Sequence, residues 1–570
     1  MAGTGRTPPA RLRSRWRGSC PRPCRVPPED PAVDLRLEHL PADLFGLDEA
    51  TREALSSGGL NGIPVPGRLE DLPRPTDRHD AGERGLLAQA LSKGHEFHEL
   101  PGRARTSLSV LAEEGTFCVV TGQQPGLCAS PLYSLYKGLQ ACRLATDLSR
   151  HWGVPVVPLF WNHGDDHDVA EVHHAHQLNR NLDLQKVKLA GLSSGRTPLS
   201  EIHFDEEVHH LSATRALLGD MYEEFEGTDS ALDLFFPRPG ESFVRAFTRT
   251  MSELLGPMGL LVVEPDWIRP SLSSALADLV SLDPEPLLTE GSGPNSPIPP
   301  SEAALVYQVR EGQRRALRPG GEGFAFDGEP GSRTASELAA EIAGQPEEWS
   351  AGALLRPLVQ DAVLPVAATI GGKGELLYHA QLAPLRRAAD LPNTPFVPRI
   401  SMTLTGPEVR AALKRAEAAP AEVLAALGAW RPGGQPTAGE EPAPGDFLRK
   451  EAERAAERLR SLRAEIAALP DNLAGNLERT ARQVKAAIEK LAMKVDRVQA
   501  NQSGKGQRAL RRINHSLVPL DQPQERVLGP LQFCARFGSG WVEDLYRELS
   551  PICFEHLVVH LDSDADPSHD

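Results

Sequence analysis

The sequence lacks the long apolar runs, the dense cysteines and the basic charge that mark several large classes of protein. No run of 18 apolar residues occurs in the 570-residue chain, so no membrane-spanning helix is expected. Its seven cysteines are too few for a disulfide framework and are expected to be reduced thiols. A formal net charge of −16 disfavours nucleic acid and anionic membranes as partners. A cytoplasmic enzyme built from several domain-sized units remains the expectation.

The first 30 residues also lack an apolar stretch, although they carry seven arginines among many prolines. They therefore do not form a secretory signal, while their composition resembles that of a transit peptide. The composition predicts a disordered leader over residues 1–30, or a translation start placed too far upstream. Cys20 and Cys24 have no second ligand pair at a suitable spacing, so they do not predict a metal site.

The most informative stretch runs from residue 117 to residue 171 and reads as strand, turn, helix and strand. Phe117–Val120 is a short apolar run, which the turn-forming Thr121–Gly126 is not expected to continue. Apolar residues then recur at helical spacing over about 17 residues. Val154–Trp161 is a second buried-type strand, and the polar cluster Asn162–Asp168 closes it. This order of elements predicts a parallel βαβ unit.

Two polar clusters, TGQQPG and HGDDHD, follow these two strands. Proteins with parallel sheets bind ligands outside the carboxyl ends of the strands. We therefore expect the active site where the two clusters meet.

The first cluster and the helix after it supply candidate substrate-binding residues. Gly122 and Gly126 allow close backbone approach, and the nearby helix amides favour a carboxylate or phosphate. Tyr133 and Lys137 are four residues apart and so share one helical face, where Lys137 would neutralise an anionic group. An ordinary βα turn and a solvated lysine are the alternatives. The residues predicted to bind substrate are Thr121, Gly122, Gln123, Gln124, Tyr133, Tyr136, Lys137 and Trp161.

The second cluster, Asp165-Asp166-His167-Asp168, is the sharpest chemical signal. Its carboxylates repel one another unless a cation, an amine or arginines compensate. An amine nucleophile needs such a setting, because a base must take its proton. We predict that Asp166 and His167 bind substrate or act as general base and that Asp168 orients them. A helix cap would account for only one of the aspartates.

A metal-dependent hydrolase with Asp165–Asp168 as ligands is the alternative function. The nearby His173 and His176 are three residues apart and would lie on one helical face, as in some zinc sites. Histidines of this kind are more often surface residues.

The remaining apolar segments predict a Rossmann-like core over residues 31–430. Its first part, residues 31–114, is predicted to be mainly helical. Leu260–Asp266, Val363–Ile370 and Phe396–Ile400 read as further strands. An inserted piece at about residues 283–350 carries short alternating strands.

Beyond the core, the period of the apolar residues changes. Trp430–Gly445 is a linker by composition. Residues 446–500 then show heptad spacing in two stretches, interrupted at Pro470–Asn472. This pattern predicts an antiparallel coiled-coil arm. Residues 501–570 are expected to pack back on the core.

The segment VPRISMT, at Val397–Thr403, places a cation and hydroxyl groups at the end of a predicted strand. This combination suits phosphate, with a purely structural role as the alternative. Two residues at the base of the arm are expected to close the same nucleotide pocket. The residues predicted to bind the nucleotide are Arg399, Ser401, Met402, Thr403, Gln524 and Arg526.

Taken together, these blocks resemble the BshC family, the cysteine ligases of bacillithiol biosynthesis. The resemblance is carried by TGQQPGL, PLYSLYK and DDHD, and downstream by LLRPLVQDAVLP, IGGKGELLYHAQL and VPRISMT. PQERVLGPLQF and FEHLVVHL complete the set. The blocks occur in order from about residue 35 to the end of the chain.

The resemblance implies a fold and a reaction. The implied fold is an α/β protein whose Rossmann-like parallel-sheet core is similar to class I aminoacyl-tRNA synthetases, with inserted segments and the coiled-coil arm. The implied reaction joins L-cysteine to glucosaminyl-malate and gives bacillithiol, in the last step of its biosynthesis. Amide formation needs an activated carboxylate, so ATP with Mg²⁺ is expected. A homodimer is expected as well. A coiled-coil interaction protein without catalysis is the third interpretation.

Overall fold

The computed structural model describes most of the chain. The described residues are 33–45, 49–192, 195–292, 296, 298–320, 323–327, 331–430, 444–465, 480–492, 494–495 and 505–563. The predicted leader, most of the predicted linker and the predicted turn at Pro470–Asn472 lie outside them.

The described residues include sixteen strands. They are β1 (Val33–Leu40), β2 (Gly59–Leu60), β3 (Ile63–Pro64), β4 (Phe117–Gln123), β5 (Val156–Asn162), β6 (His174–Leu178), β7 (Leu184–Lys188), β8 (Leu261–Val263), β9 (Val306–Arg310), β10 (Gln313–Gly320), β11 (Gly323–Phe326), β12 (Trp349–Ala351), β13 (Val366–Gly371), β14 (Phe396–Pro398), β15 (Ser401–Thr405) and β16 (His556–Ser563).

The α-helices come from all parts of the described chain. They are α1 (Glu49–Ser57), α2 (Ala81–Gly94), α3 (Gly102–Leu111), α4 (Leu132–Trp152), α5 (Val169–Val172), α6 (Glu206–His209), α7 (Leu211–Tyr222), α8 (Thr228–Phe235), α9 (Phe243–Leu255), α10 (Arg269–Ser281), α11 (Pro284–Glu290), α12 (Ala335–Gly344), α13 (Arg356–Val363), α14 (Lys373–Gln381), α15 (Ala383–Ala388), α16 (Pro407–Arg415), α17 (Pro420–Ala426), α18 (Pro444–Glu465), α19 (480–492), α20 (Lys505–Leu517), α21 (Leu531–Phe537) and α22 (Trp541–Glu548). None of them is both long and apolar enough to span a membrane.

A parallel sheet of five strands, in the order β14-β13-β4-β5-β8, forms the centre of the molecule. Each neighbouring pair in this sheet is parallel. This confirms the predicted α/β core and its later strands. Helix α4 connects β4 to β5 and packs against both. The carboxyl ends of β13, β4 and β5 therefore lie side by side at one edge of the sheet.

Strand β4 and helix α4 are both longer than predicted. The strand continues through Thr121 and Gly122 to Gln123, because Gly122 and Gln123 pair with Trp161 and Asn162 of β5. Cross-strand pairing thus overrides the turn-forming composition of this segment. The helix has 21 residues, rather than about 17.

A second sheet, in the order β1-β16-β15, joins the two ends of the chain. The prediction that residues 31–114 are mainly helical is therefore wrong at its start, where β1 pairs antiparallel with β16. Leu35 and Leu37 of β1 pack on the core between polar neighbours, so the period of two was present in the sequence. VPRISMT is also divided: β14 ends at Pro398, and β15 begins at Ser401 in this second sheet.

The inserted piece is an antiparallel sheet in the order β11-β10-β9-β12. It contains the predicted short strands, at Tyr307–Arg310 and Phe324–Phe326, as β9 and β11, and adds β10 and β12. Strand β10 carries Arg314, whose side chain is buried and reaches the edge of the central sheet.

Helices α18 and α19 form the predicted helical arm. Ala452 and Ala456 of α18 and Ala481 and Ala492 of α19 are fully buried. Lys485 and Glu453 form an ion pair between the two helices. These small buried side chains allow a close approach of the two helices. After the arm, α20 packs on α16 and α17.

Candidate active site

The two polar clusters meet at the carboxyl edge of the central sheet. Gln124, which follows β4, donates through Nε2 to Oδ2 of Asp166 at 3.1 Å. His163 donates its backbone N–H to the carbonyl oxygen of Gln123 at 3.0 Å. A side chain at position 122 would not fit, because a Cβ on Gly122 would lie 2.6 Å from His163 Nε2. Glycine at this position therefore permits the close approach of the two clusters.

Asp166 is the centre of the site and is surrounded by donors. In addition to Gln124, Arg314 Nη1 donates to its Oδ1 at 3.2 Å, and Arg356 Nη1 lies 3.6 Å from its Oδ2. Burial alone would raise the pKa of Asp166, but Arg356 and Arg314 outweigh burial and lower the pKa well below its ordinary value. Asp166 is therefore an anion that holds two arginines in place.

His167 lies beside this group and has a different environment. Its Nδ1 is 3.5 Å from Arg314 Nη1, and its ring packs edge-on against Tyr307, with 6.0 Å between ring centroids. The guanidinium of Arg314 lies 3.7 Å above the same tyrosine ring. Burial, and then Arg314, lower the pKa of His167 below 6.5. The imidazole is thus neutral at pH 7 and able to accept a proton.

The other two aspartates of the cluster point to separate partners. Asp165 pairs with Arg269 of α10, which donates through Nη1 to Asp165 Oδ2 at 3.0 Å. Asp168 is exposed and occupies the N-cap position of α5 without a side-chain capping hydrogen bond. Arginines therefore compensate the two partly buried carboxylates of this cluster, Asp165 and Asp166. The helix-cap alternative is not supported by a hydrogen bond.

Lys137 is enclosed rather than presented to solvent. Its Nζ donates to the carbonyl oxygen of Gly122 at 2.9 Å, to Gln123 Oε1 at 3.1 Å and to Glu375 Oε1 at 2.7 Å. Its side chain is 2% exposed. Burial lowers the pKa of Lys137, and Glu375 opposes this effect. Lys137 therefore fixes the end of β4 against α14, which rules out the solvated-lysine alternative.

Three other residues predicted to bind substrate are parts of the interior. The Thr121 hydroxyl donates to the carbonyl oxygen of Ile370 in β13 at 3.0 Å. Tyr136 and Trp161 are both buried. In the described structure, the Tyr136 hydroxyl and the Trp161 indole Nε1 have no hydrogen-bond partner. Tyr133 lies nearer the site, where its hydroxyl accepts from Gln123 Nε2 at 3.1 Å. The predicted shared face of Tyr133 and Lys137 is thus observed.

Five of the six residues predicted to bind the nucleotide form a hydrogen-bonded cluster in the interior around Glu525, which we call the latch (Arg399, Ser401, Met402, Thr403 and Gln524). Arg399 Nη2 donates to Glu525 Oε1 at 2.7 Å, and the Met402 backbone N–H donates to Oε2 at 2.8 Å. Ser401 and Thr403 each hydrogen-bond His556 of β16 at 2.9 Å.

The neighbouring Gln524 exchanges two hydrogen bonds of 2.8 Å with the backbone of Leu404. Of the six predicted residues, Arg526 is the one whose side chain is exposed. These contacts favour the structural alternative for the others, and nucleotide binding at this place stays a prediction.

The prediction of His173 and His176 on one helical face is wrong. His173 follows α5, and His176 lies in β6. Among the described residues, the group whose ligand atoms converge within 4.8 Å is His39, Cys553 and Glu555, away from the aspartate cluster. The geometry therefore gives the metal-dependent hydrolase no support.

Four residues of the site were not singled out in the sequence: Arg269, Arg314, Arg356 and Glu375. Arg356 lies in LLRPLVQDAVLP and Glu375 in IGGKGELLYHAQL, two blocks noted above for the family resemblance alone. Their spacing from residue 166 gave no local signal. The position of Glu375, four residues beyond the end of β13, matches the rule that ligands lie at strand ends.

Comparison with known families identifies the class of protein. Residues 68–400 match the family model described as "Bacillithiol biosynthesis BshC, N-terminal Rossmann-like domain". Residues 442–561 match "Bacillithiol biosynthesis BshC, C-terminal coiled-coil domain". The protein thus has a Rossmann-like domain followed by a coiled-coil domain. The chain belongs to the BshC family.

Individual relatives extend over most of the chain. A protein named "Putative cysteine ligase BshC" from Koribacter versatilis is 27% identical over 508 residues, covering 85% of this chain and 91% of the relative. A relative of the same name from Geobacillus thermodenitrificans is 28% identical, covering 86% and 91%. One from Solibacter usitatus is 29% identical, covering 80% and 86%.

Among solved structures, one described as a putative arginyl tRNA synthetase from Campylobacter jejuni aligns at a TM-score of 0.20 and 13% identity. The alignment covers 78% of this chain and 96% of that one. This likeness is too low to establish a shared fold, so the similarity to class I aminoacyl-tRNA synthetases stays a prediction.

Proposed function

We propose that the protein is a cysteine ligase that joins L-cysteine to glucosaminyl-malate and forms bacillithiol. The observation that carries the proposal is the clamp of Gln124, Arg314 and Arg356 on Asp166 beside a neutral His167. This arrangement places cations for an anionic substrate next to a proton acceptor for an amine. Membership of the family supports the identity of the two substrates.

Chemistry requires a step before the amide forms. A free carboxylate carries no adequate leaving group, so we propose that ATP, with Mg²⁺, transfers a phosphoryl or adenylyl group to the cysteine carboxylate and releases ADP or pyrophosphate, respectively. The amine of glucosaminyl-malate then attacks the acyl carbon, the carbon–nitrogen bond forms, and the phosphate or AMP departs. The amine loses one proton in this step, and His167 is the group placed to accept it.

The roles of the aspartates follow from their contacts. Asp166 keeps Arg314 and Arg356 at the position where an anionic substrate would bind, so we assign it an orienting role. Asp168 is exposed and adjacent to His167 in the chain, and we propose that it is a second orienting group. We further propose that the protein acts in the cytoplasm as a homodimer.

Mass-spectrometric detection of bacillithiol tests the proposal directly. The purified protein is given L-cysteine, glucosaminyl-malate, ATP and Mg²⁺, with a parallel reaction that omits ATP. Product is expected from the complete mixture alone. Product without ATP would overturn the activation step, and no product from the folded protein would overturn the ligase assignment.

A matched pair of histidine variants tests the proton acceptor. His167→Gln is expected to lower the rate by about a hundredfold, whereas His151→Gln, on the exposed last turn of α4, leaves it unchanged. Because burial and Arg314 lower the pKa of His167, the wild-type rate is expected to fall on acidification only at a lower pH than an ordinary imidazole would give. Equal rates for the two variants would exclude His167 as the base.

A further inference from the structure

Three side chains of the kinds that bind transition metals meet where the two ends of the described chain pair. His39 lies in β1, and Cys553 and Glu555 precede β16, the strand that pairs with β1. One imidazole nitrogen, the thiol sulfur and one carboxylate oxygen all lie within 4.8 Å of one another. This group, which we call the His39–Cys553–Glu555 cluster, takes no part in the proposed ligase chemistry.

Strand pairing brings the cluster together, although 516 positions separate His39 from Glu555. His39 pairs with Leu557 near the end of the ladder between β1 and β16, next to Glu555. His39 also shares one face of β1 with Leu37, since side chains alternate along a strand. Leu37 and Cys553 pack against the same hydrophobic core. The cluster therefore lies at the rim of this core, where two separate segments place their side chains side by side.

The present contacts are close to a coordination geometry. His39 Nδ1 and Glu555 Oε2 form a hydrogen bond of 2.6 Å, and the two side chains are 50% and 54% exposed. In a tetrahedral zinc site these two atoms would stand about 3.3 Å apart, and the sulfur about 3.6 Å from the nitrogen. Movements of about an ångström at exposed side chains reach this geometry. Little stability is lost when the hydrogen bond opens, because an ion pair so exposed contributes little.

The three ligand types determine which ion fits. Ca²⁺ and Mg²⁺ prefer sets of oxygen atoms, whereas one nitrogen, one sulfur and one oxygen together suit Zn²⁺. The Cys553 thiol donates to the carbonyl oxygen of Glu555 at 3.9 Å, a weak contact that a metal–sulfur bond can replace. The exposure of His39 and Glu555 gives an ion from solvent direct access to the cluster.

We propose that His39, Cys553 and Glu555 bind one zinc ion, with a water molecule as the fourth ligand. The thiol releases its proton to solvent as the sulfur–zinc bond forms. The ion links β1 to the segment before β16 and so fastens the two ends of the described chain to each other. This site goes beyond the proposed function and does not depend on it.

Zinc titration of the metal-free, full-length protein against a chromophoric chelator tests the proposal. The variants Cys553→Ser and His39→Gln each remove one ligand. Each is expected to weaken zinc binding by about tenfold or more, since even a residue that only supports a ligand contributes that much. Cys24→Ser is the matched control, because it removes a thiol from the leader, where the sequence predicts no metal site. This control is expected to bind zinc as the wild type does.

Two further measurements show whether the bound ion is at this cluster. Co²⁺ in place of zinc is expected to give a sulfur-to-cobalt charge-transfer band in the wild type and none in Cys553→Ser. Zinc is expected to raise the thermal unfolding midpoint of the wild type, because it binds the folded state, and to raise that of Cys553→Ser less.

The opposite results would overturn the proposal. Equal zinc affinity for the wild type and Cys553→Ser would exclude the cluster, as would a wild type that binds no zinc. Loss of zinc in Cys24→Ser would place the ion in the leader instead. Each of these results leaves the ligase proposal standing, since product formation is measured separately.

Discussion

Asp166 and Glu525 are both carboxylates that pair with arginine, but the two regions differ in their access to solvent. Glu525 and Arg399 are 3% and 9% exposed at the side chain. Asp166 is 20% exposed, and Arg356 is 19% exposed. The buried pair of Glu525 and Arg399 stabilises the fold only. Asp166 is open to solvent and neutralises one of its two arginines, so positive charge remains for a ligand. Access, rather than residue type, separates the two regions.

The largest difference in stability between the two regions is expected from a substitution of Glu525. Glu525→Gln leaves Arg399 buried with no counter-charge at this position and is expected to lower the free energy of unfolding by about 3–5 kcal/mol. Chemical denaturation measures the loss. The control Glu408→Gln removes an ion-pair partner of Arg536 that is 48% exposed, where a change of about 1 kcal/mol or less is expected. Similar losses for both variants would contradict a sealed latch.

Asp166→Asn is expected to have the opposite profile. The amide still accepts a hydrogen bond but no longer neutralises Arg314 and Arg356, so the arginines lose their fixed positions. Product formation is expected to fall by about a hundredfold, while the unfolding midpoint is expected to fall less than in Glu525→Gln, because Asp166 and Arg356 are partly exposed. A midpoint as low as that of Glu525→Gln would show that the Asp166 surroundings are structural as well.

How much of this was predictable depends on the distance along the chain. The parallel core and the meeting of TGQQPG with HGDDHD follow from local patterns, since apolar runs and turn residues carry that information. The counter-ions of Asp166 do not follow from local patterns, because Arg314 and Arg356 are more than a hundred residues away. Arg314 lies in the inserted sheet, and Arg356 begins helix α13. Their side chains look like ordinary surface arginines in the sequence.

In the latch, the sequence predicted a ligand site where the structure has contacts within the protein. VPRISMT has the composition of a phosphate site, but its hydroxyl groups are used by His556, whose strand β16 pairs in register with β15. Composition cannot tell whether a polar group will meet a ligand or another strand. The same limit explains β1, whose alternating pattern is visible but whose partner strand lies at the other end of the chain.

Gly122→Ala tests how tightly the two polar clusters approach. The added Cβ would lie 2.6 Å from His163 Nε2 and 2.8 Å from the Trp161 carbonyl oxygen. Because one of these neighbours is backbone, the strand ends must shift, and the free energy of unfolding is expected to fall by about 1–3 kcal/mol. Gly85→Ala, where the Cβ would meet no atom within 4 Å, is the control. An unchanged stability for Gly122→Ala would mean that the strand ends adjust freely.

The buried pair of Lys137 and Glu375 sharpens the comparison through its pH dependence. Burial opposes the ionised form of Glu375, but Lys137 outweighs it and lowers the pKa to about 2, from an ordinary 4.5. Since the folded pKa is lower than the unfolded one, the pair stabilises the fold fully above about pH 5 and loses this contribution as the pH falls toward 2. The difference in unfolding free energy between wild type and Glu375→Gln is therefore expected to be large at pH 7 and to shrink steadily toward pH 3. Denaturation at several pH values measures it. A difference that stays constant with pH would mean that Glu375 contributes through packing and hydrogen bonding alone, and that the end of β4 is not held by charge.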